Sequence, residues 1–273
     1  MSQLVVQYRL VVFDTPDDPA AIRDLFVKVT GVHSTDATQW VAKVPGTWPK
    51  PLPADQAKAL LDGLYDEGVA AEAWRVDQFP DLVPPHNVHV AACLADGFRV
   101  SGLRGEPTHW VPWDKVELIS AGKVDQPDEY RNVAAPSWAS ALRSGMMAVF
   151  RRPAYRGRVL RANRIIRDPV GEVHIVRREP RICFRVVENA MNYAYLGQAL
   201  RPSAAENFPL FVADLSARAD DAYLTEETKA FLRHGDPKTY EFVSSQALLD
   251  HTTLKLLWGW YRKDRDAQLS TEI

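Results

Sequence analysis

Cysteine is nearly absent: 273 residues hold two, Cys93 and Cys183, each inside an apolar, strand-like run. So sparse a use excludes a disulfide-stapled secreted scaffold and suits a reducing compartment, with both thiols as small buried hydrophobes. No apolar run approaches the ~20 residues that span a bilayer. Gln3, Gln7 and Arg9 interrupt the apolar residues at the start of the chain, which reads as a strand and not as a signal peptide. The expected address is the cytoplasm. Internal repeats and low-complexity segments are missing. So are the P-loop, the dinucleotide fingerprint, the Gly-x-Ser-x-Gly elbow, the His-Glu-x-x-His helix and the Cys-x-x-Cys pair. With no such motif, no cofactor, no metal and no catalytic residue is expected. An enzyme whose site is assembled from scattered residues stays open as an alternative.

What is present suits an ordinary globular protein, 46% hydrophobic and 25% charged, long enough for two domains. The pattern predicts an α+β chain: a small β-α-α-β-α-β domain over 1–81, then a mostly antiparallel β domain with a C-terminal helical region over 86–273. Leu4 to Phe13 is apolar and β-rich, a strand. Asp18 is placed to cap a helix with Pro19 in its first turn, and Ile22, Leu25, Phe26 and Val29 recur at helical spacing up to Gly31. A second helix begins at Ser34 or Thr35 and carries Ala37, Trp40 and Val41. A third presents Ala57, Leu60, Leu61 and Leu64 and closes at Gly68. Val69 to Val76 is the next strand. The apolar faces of three helices can close over one small sheet, so 1–81 is expected to fold as a unit.

These positions carry a resemblance. Thr30-Gly31 between the first helices, Ala37 and Val41 in the second, and Ala57, Ala59-Leu60, Leu64 and Gly68 around the third resemble the C-terminal domain of the bacterial ribosomal stalk protein. The resemblance implies that fold over about 75 residues. In that family, basic residues on the first two helices dock translation factors. The matching positions here are Asp24, Val27, Thr35 and Thr38, and residues 1–81 hold seven basic against twelve acidic side chains. Function therefore does not follow the fold.

Asp81-Leu82-Val83-Pro84-Pro85 reads as a stiff linker. Beyond it, Val88 to Leu94, the turn Ala95-Asp96-Gly97 and Phe98 to Leu103 form a hairpin signal. Trp110-Val111-Pro112-Trp113 and a strand from Val116 toward Gly122 follow. This order resembles small bacterial pleckstrin-homology-like domains, although the acidic hairpin turn departs from their phosphoinositide chemistry. A short helix is expected around Trp138 to Leu142, and strands over Met147 to Phe150 and Val159 to Ile166. A second hairpin pairs Val173 to Arg178 with Ile182 to Val187. Three helices are expected after it, capped by Asn207, by Thr225 and by Ser244 or Ser245.

Few residues carry chemistry. His86, His89 and Cys93 are zinc-type ligands, but on one strand His89 and Cys93 stand some 13 Å apart, at about 3.3 Å per residue. Asp14, Asp17 and Asp18 suit capping better than a calcium loop, and Tyr193, Tyr195 and Gly197 suit a packed corner. Residues 151–185 are different, with eleven arginines, no lysine and three acids. Arg177, Arg178, Arg181 and Arg185 are the candidate interaction residues, with Arg181 and Arg185 on one strand face opposite Ile182, Phe184 and Val186. Arginine suits bidentate contact with carboxylate or phosphate. The arginines could pair within the chain or bind a partner. The leading expectation is an interaction or adaptor protein that binds another, acidic protein; nucleic acid or anionic lipid is the lesser alternative, against a pI near 6.4. With no basic docking surface on its first two helices, the chain is expected to show no saturable association with a purified translational GTPase in a calorimetric titration.

Overall fold

The computed structural model describes residues 6–102, 107–125 and 169–271. The expected helix around Trp138, the strands over 147–150 and 159–166, and the arginines from Arg151 to Arg167 lie outside these residues. The chain is α+β, and no helix among the described residues is long and apolar enough to cross a membrane.

The first layer follows the helical spacing closely. β1 (Gln7–Val12) leads to α1 (Pro19–Thr30), whose first turn is capped by Asp18 Oδ1 accepting from Ala20 N and Ala21 N. Gly31 ends α1 at φ +70°, a left-handed conformation that glycine adopts without penalty. α2 (Ser34–Val41) follows. The middle strand of the expected β-α-α-β-α-β order is two separate strands, β2 (Gly46–Thr47) and β3 (Leu52–Pro53), before α3 (Ala54–Asp66) and β4 (Ala71–Arg75). β2, β3 and β4 all pair antiparallel with β1. Leu10, Val12, Phe26, Trp40, Trp48, Leu60 and Leu64 fill the core between this sheet and the three helices.

The second part holds two more sheets. β5 (His86–Val88) and β6 (Val90–Cys93) replace the single expected strand over 88–94. β6 pairs with β7 (Gly97–Ser101), and β7 with β8 (His109–Pro112), as an antiparallel meander. β9 (Val116–Val124), β10 (Val170–Arg177) and β11 (Ile182–Val187) are antiparallel neighbours, and β5 joins β11 in parallel. α4 (Ala204–Arg218) is capped by Ser203 in a reciprocal box with Glu206, and not by Asn207. Asn207 lies inside the first turn, where its amide ties Arg201 and Ser203. β12 (Tyr223–Leu224) comes next, then α5 (Glu226–Leu232), capped by Thr225 as expected. α6 (Pro237–Tyr240), β13 (Glu241–Phe242) and α7 (Ser245–Thr271) complete the chain.

Period-two alternation sorts β10 and β11. Val173, Ile175, Phe184 and Val186 face a core shared with the meander and with Phe208, Phe211 and Leu215 of α4. Val176 and Cys183 face the other way, against Leu249 and Leu256 of α7. A second stripe of α7, Leu254, Leu257, Trp258 and Tyr261, packs on Val11 and Phe13 of the first sheet. The spacing 254, 257, 258, 261 is one helix face. α7 therefore covers the open faces of two sheets at once. A fragment ending at residue 81 leaves Val11, Phe13 and Trp74 uncovered, so the first layer is not closed by its own helices alone. Glu72 also lies at this seam, where burial and then the like charge of Asp264 push its carboxyl up to about 7. Leu257 is fully buried at the junction. Leu257→Ala is expected to lower the unfolding free energy by about 2–5 kcal/mol, read from urea denaturation.

Candidate binding site beside the second hairpin

The four arginines singled out by the sequence meet different surroundings. Arg177 and Arg178 are half-buried at the end of β10, where Arg177 Nε donates to Glu179 O (3.2 Å) and Arg178 N to Lys115 O (2.9 Å). Arg181 is exposed at the turn, its guanidinium carbon 4.3 Å from the centroid of the Trp260 ring and one nitrogen 3.9 Å from Glu117 Oε2. Arg185 shares that strand face but is only 7% exposed, so the two candidate interaction residues do not form one exposed pair. The alternation holds. The face is covered by α7 instead of water.

Arg185 belongs to a buried polar network. It donates to Glu172 Oε2 (2.7 Å), to Ser245 Oγ (2.9 Å) and to Asn87 Oδ1 (3.3 Å). Ser245 Oγ donates to the same Glu172 oxygen (2.8 Å), and His174 Nε2 donates to Oε1 (3.0 Å). His174 Nδ1 meets Thr252 Oγ1 (3.1 Å), which is itself 2.7 Å from Leu248 O. That hydroxyl has one hydrogen, so it serves Leu248 O when His174 is imidazolium and Nδ1 when His174 is neutral. Burial alone would push the Glu172 carboxyl up; hydrogen bonds and charge from His174 and Arg185 outweigh it and hold the group down at about 2. The residue types suggest a nucleophile triad, but the order does not. The carboxylate, not the imidazole, sits at the centre, and Ser245 bonds Glu172 instead of His174. Glu172 and His174 are fully buried. The network pins the first turns of α7 to β10 and β11.

Beside Arg181 the surface opens. Glu117, Leu118, Tyr223, Leu256, Gly259 and Trp260 line a slot of about 240 Å³, with Lys255, Arg262, Lys263 and Asp266 around it. Trp260 Nε1 donates to Glu117 Oε1 (2.9 Å), and Lys255 lies 3.9 Å from Glu227. Arg262 and Lys263 pair with no carboxylate among the described residues. Gly259 is notable because nothing demands it: a Cβ there would meet no atom within 4 Å. An interior helical glycine costs about 1 kcal/mol relative to alanine. A larger cleft, about 1090 Å³, separates the first layer from α7. Its cations Arg9, Lys43 and Lys50 are balanced by Asp36, Asp81 and Asp250, so it presents no net charge to a partner.

Other residues marked in the sequence stay apart. His86 stacks edge-on with His109, His89 Nδ1 lies 3.1 Å from Ala190 O, and Cys93 is buried in the core. No group of three or more His, Cys, Asp or Glu that could hold a metal occurs among the described residues. Asp18 is a cap, Asp14 Oδ2 accepts from Ala70 N, and Tyr193 donates to Glu188 O. The slot residues Glu117, Tyr223 and Gly259 drew no attention in the sequence, although a glycine between two tryptophans inside a helix is a signal. Compared with known protein families, curated proteins and solved structures, the chain matches none.

A buried pair broken on one side costs about 3–5 kcal/mol. Glu172→Gln is expected to lose stability on that scale near pH 7. The native carboxyl titrates below its ordinary 4.5, so it stabilises the fold above that value and the effect is lost as pH falls toward about 2. The gap between variant and native protein is therefore expected to shrink from pH 7 to pH 3, as measured by urea denaturation at each pH.

Proposed function

We propose that this chain is a non-catalytic interaction protein that captures an acidic protein partner on the basic surface around Arg181. The observation that carries this reading is the placement of Arg181. It is held over the Trp260 ring beside an open slot, with Arg262 and Lys263 at that slot and paired with no carboxylate among the described residues. Stacking on an aromatic ring orders a guanidinium without consuming its charge, and the contact with Glu117, at 3.9 Å, is longer than a hydrogen bond, so its donors can turn to a partner carboxylate. Arg177 and Arg178 lie at the other end of the same turn and add to the positive field. Arg185 takes no part in partner contact on this reading. Its role is to hold α7, which brings Trp260, Arg262 and Lys263 to the hairpin. The acidic layer over 1–81 reaches this surface through Trp74, whose ring centroid is 5.4 Å from that of Trp260, and among the described residues the carboxylate beside Arg181 is Glu117 of β9.

The reading is tested by reversing charge where the fold does not depend on it. Arg262→Glu with Lys263→Glu is expected to change stability by about 1 kcal/mol or less, because both side chains are exposed. Association with immobilised poly-glutamate should slow, and its dependence on salt should flatten. Native on-rates that do not fall with salt, or that the double variant leaves unchanged, would remove the basis for a partner recognised by charge.

A further inference from the structure

We propose that the slot beside Trp260 is an anchor pocket for a single aromatic side chain of an acidic partner, an inference that rests on the interaction reading above. At about 240 Å³ the slot is smaller than the roughly 300–1,000 Å³ that holds a whole small-molecule ligand. One side chain is the scale that fits. Its walls are apolar or aromatic: Tyr223, Leu256 and Trp260. Gly259 leaves open space where any other residue would project a side chain, and neither crowding nor a positive φ requires glycine at that position. Rings favour edge or offset contact with such walls, and aromatic anchors in apolar pockets ringed by charge dominate binding at protein surfaces.

The rim selects the flanking residues of the partner. Arg181, Arg262 and Lys263 are exposed cations at or next to the slot. Of the two carboxylates there, Glu117 is turned toward Trp260 Nε1 and Arg181, and Asp266 stands at the outer end. Carboxylates on either side of the anchoring ring would meet the three cations. The segment recognised is therefore an acidic peptide with one tryptophan, phenylalanine or tyrosine at its centre.

The test uses the full chain and three synthetic peptides followed by fluorescence anisotropy: an acidic peptide with one central tryptophan, the same peptide with alanine in its place, and the tryptophan peptide with every glutamate replaced by glutamine. The first is expected to bind at least about tenfold more tightly than either of the others. Gly259→Leu fills the slot and should abolish the gain from tryptophan while the weak, salt-sensitive binding of the alanine peptide persists. Its melting temperature should not fall, since leucine is the better helix former. Should that variant fail to fold, Tyr223→Ala, which truncates a wall, must remove the gain instead. If the alanine peptide binds as tightly as the tryptophan peptide, the anchor pocket is refuted and the charge-driven reading survives. If neither binds, both are refuted. Equal binding of the glutamine peptide refutes the acidic partner. A single-stranded oligonucleotide that displaces the tryptophan peptide at equal or higher affinity reassigns the slot to base stacking. Self-association of the chain that Gly259→Leu abolishes reassigns it to a second copy.

Discussion

The fold depends on a single helix placed between two sheets. α7 presents Leu249 and Leu256 to the sheet of β9, β10 and β11, and Leu257, Trp258 and Tyr261 to the sheet of β1 and β4. Each sheet buries one face on its own helices or meander and leaves the other apolar. A polar covering would strand those faces in water, and at roughly 25 cal/mol per Å² no small sheet can leave one open without loss. Phe13, Trp258 and Tyr261 stack within 5.0–5.4 Å of one another and give the seam a defined geometry instead of a loose apolar contact.

A helix that serves two cores must be fixed in rotation and along its axis, and hydrophobic burial alone fixes neither well. The polar network supplies that definition. Glu172 accepts three hydrogen bonds: the one from His174 lies within β10, the one from Arg185 joins β10 to β11, and the one from Ser245, with the Thr252 hydroxyl at His174, ties α7 to β10. A slip of α7 by one residue would take Ser245 from Glu172 and Thr252 from His174, and a buried polar atom left without its partner costs about 1–3 kcal/mol. Charge in this interior works as a specificity device that sets position. The surface proposed for partner binding inherits it, because Trp260, Arg262 and Lys263 sit on the same helix four turns beyond the pinned end.

Arg181 and Arg185 show how one local pattern leads to two outcomes. They are four residues apart, on one face of one strand, in an arginine-rich stretch. Arg185 lies under the first turns of α7 and becomes an internal partner of Glu172. Arg181 lies at the turn, beyond the sheet, and meets α7 through the ring of Trp260. Position along the strand decides which arginine α7 covers and which stays at the surface.

Local order was legible in the sequence. The Asp18 cap, the Gly31 stop, the stripes of α1 and α3, the hairpin from β10 to β11 and its alternation all depend on neighbours within a few residues, where backbone geometry dictates side-chain direction. The same alternation placed Arg181 and Arg185 together, and rightly. It could not say what lay above them, because strand periodicity distinguishes two faces without naming which one meets water. Covering that face falls to α7, more than sixty residues away from β11 along most of its length, and nothing local to either element encodes the meeting. The split of one expected strand into β5 and β6 and the slot at Gly259 likewise follow from contacts between distant segments, whereas the cap at Ser203 is a local box with Glu206, three residues on. The sequence by itself determined which segments are helix and strand and which of their faces are apolar; the tertiary structure decided which faces meet, because burial rewards any matching apolar surface, and the choice among matches is made by long-range packing and by the buried hydrogen bonds that only one register can satisfy.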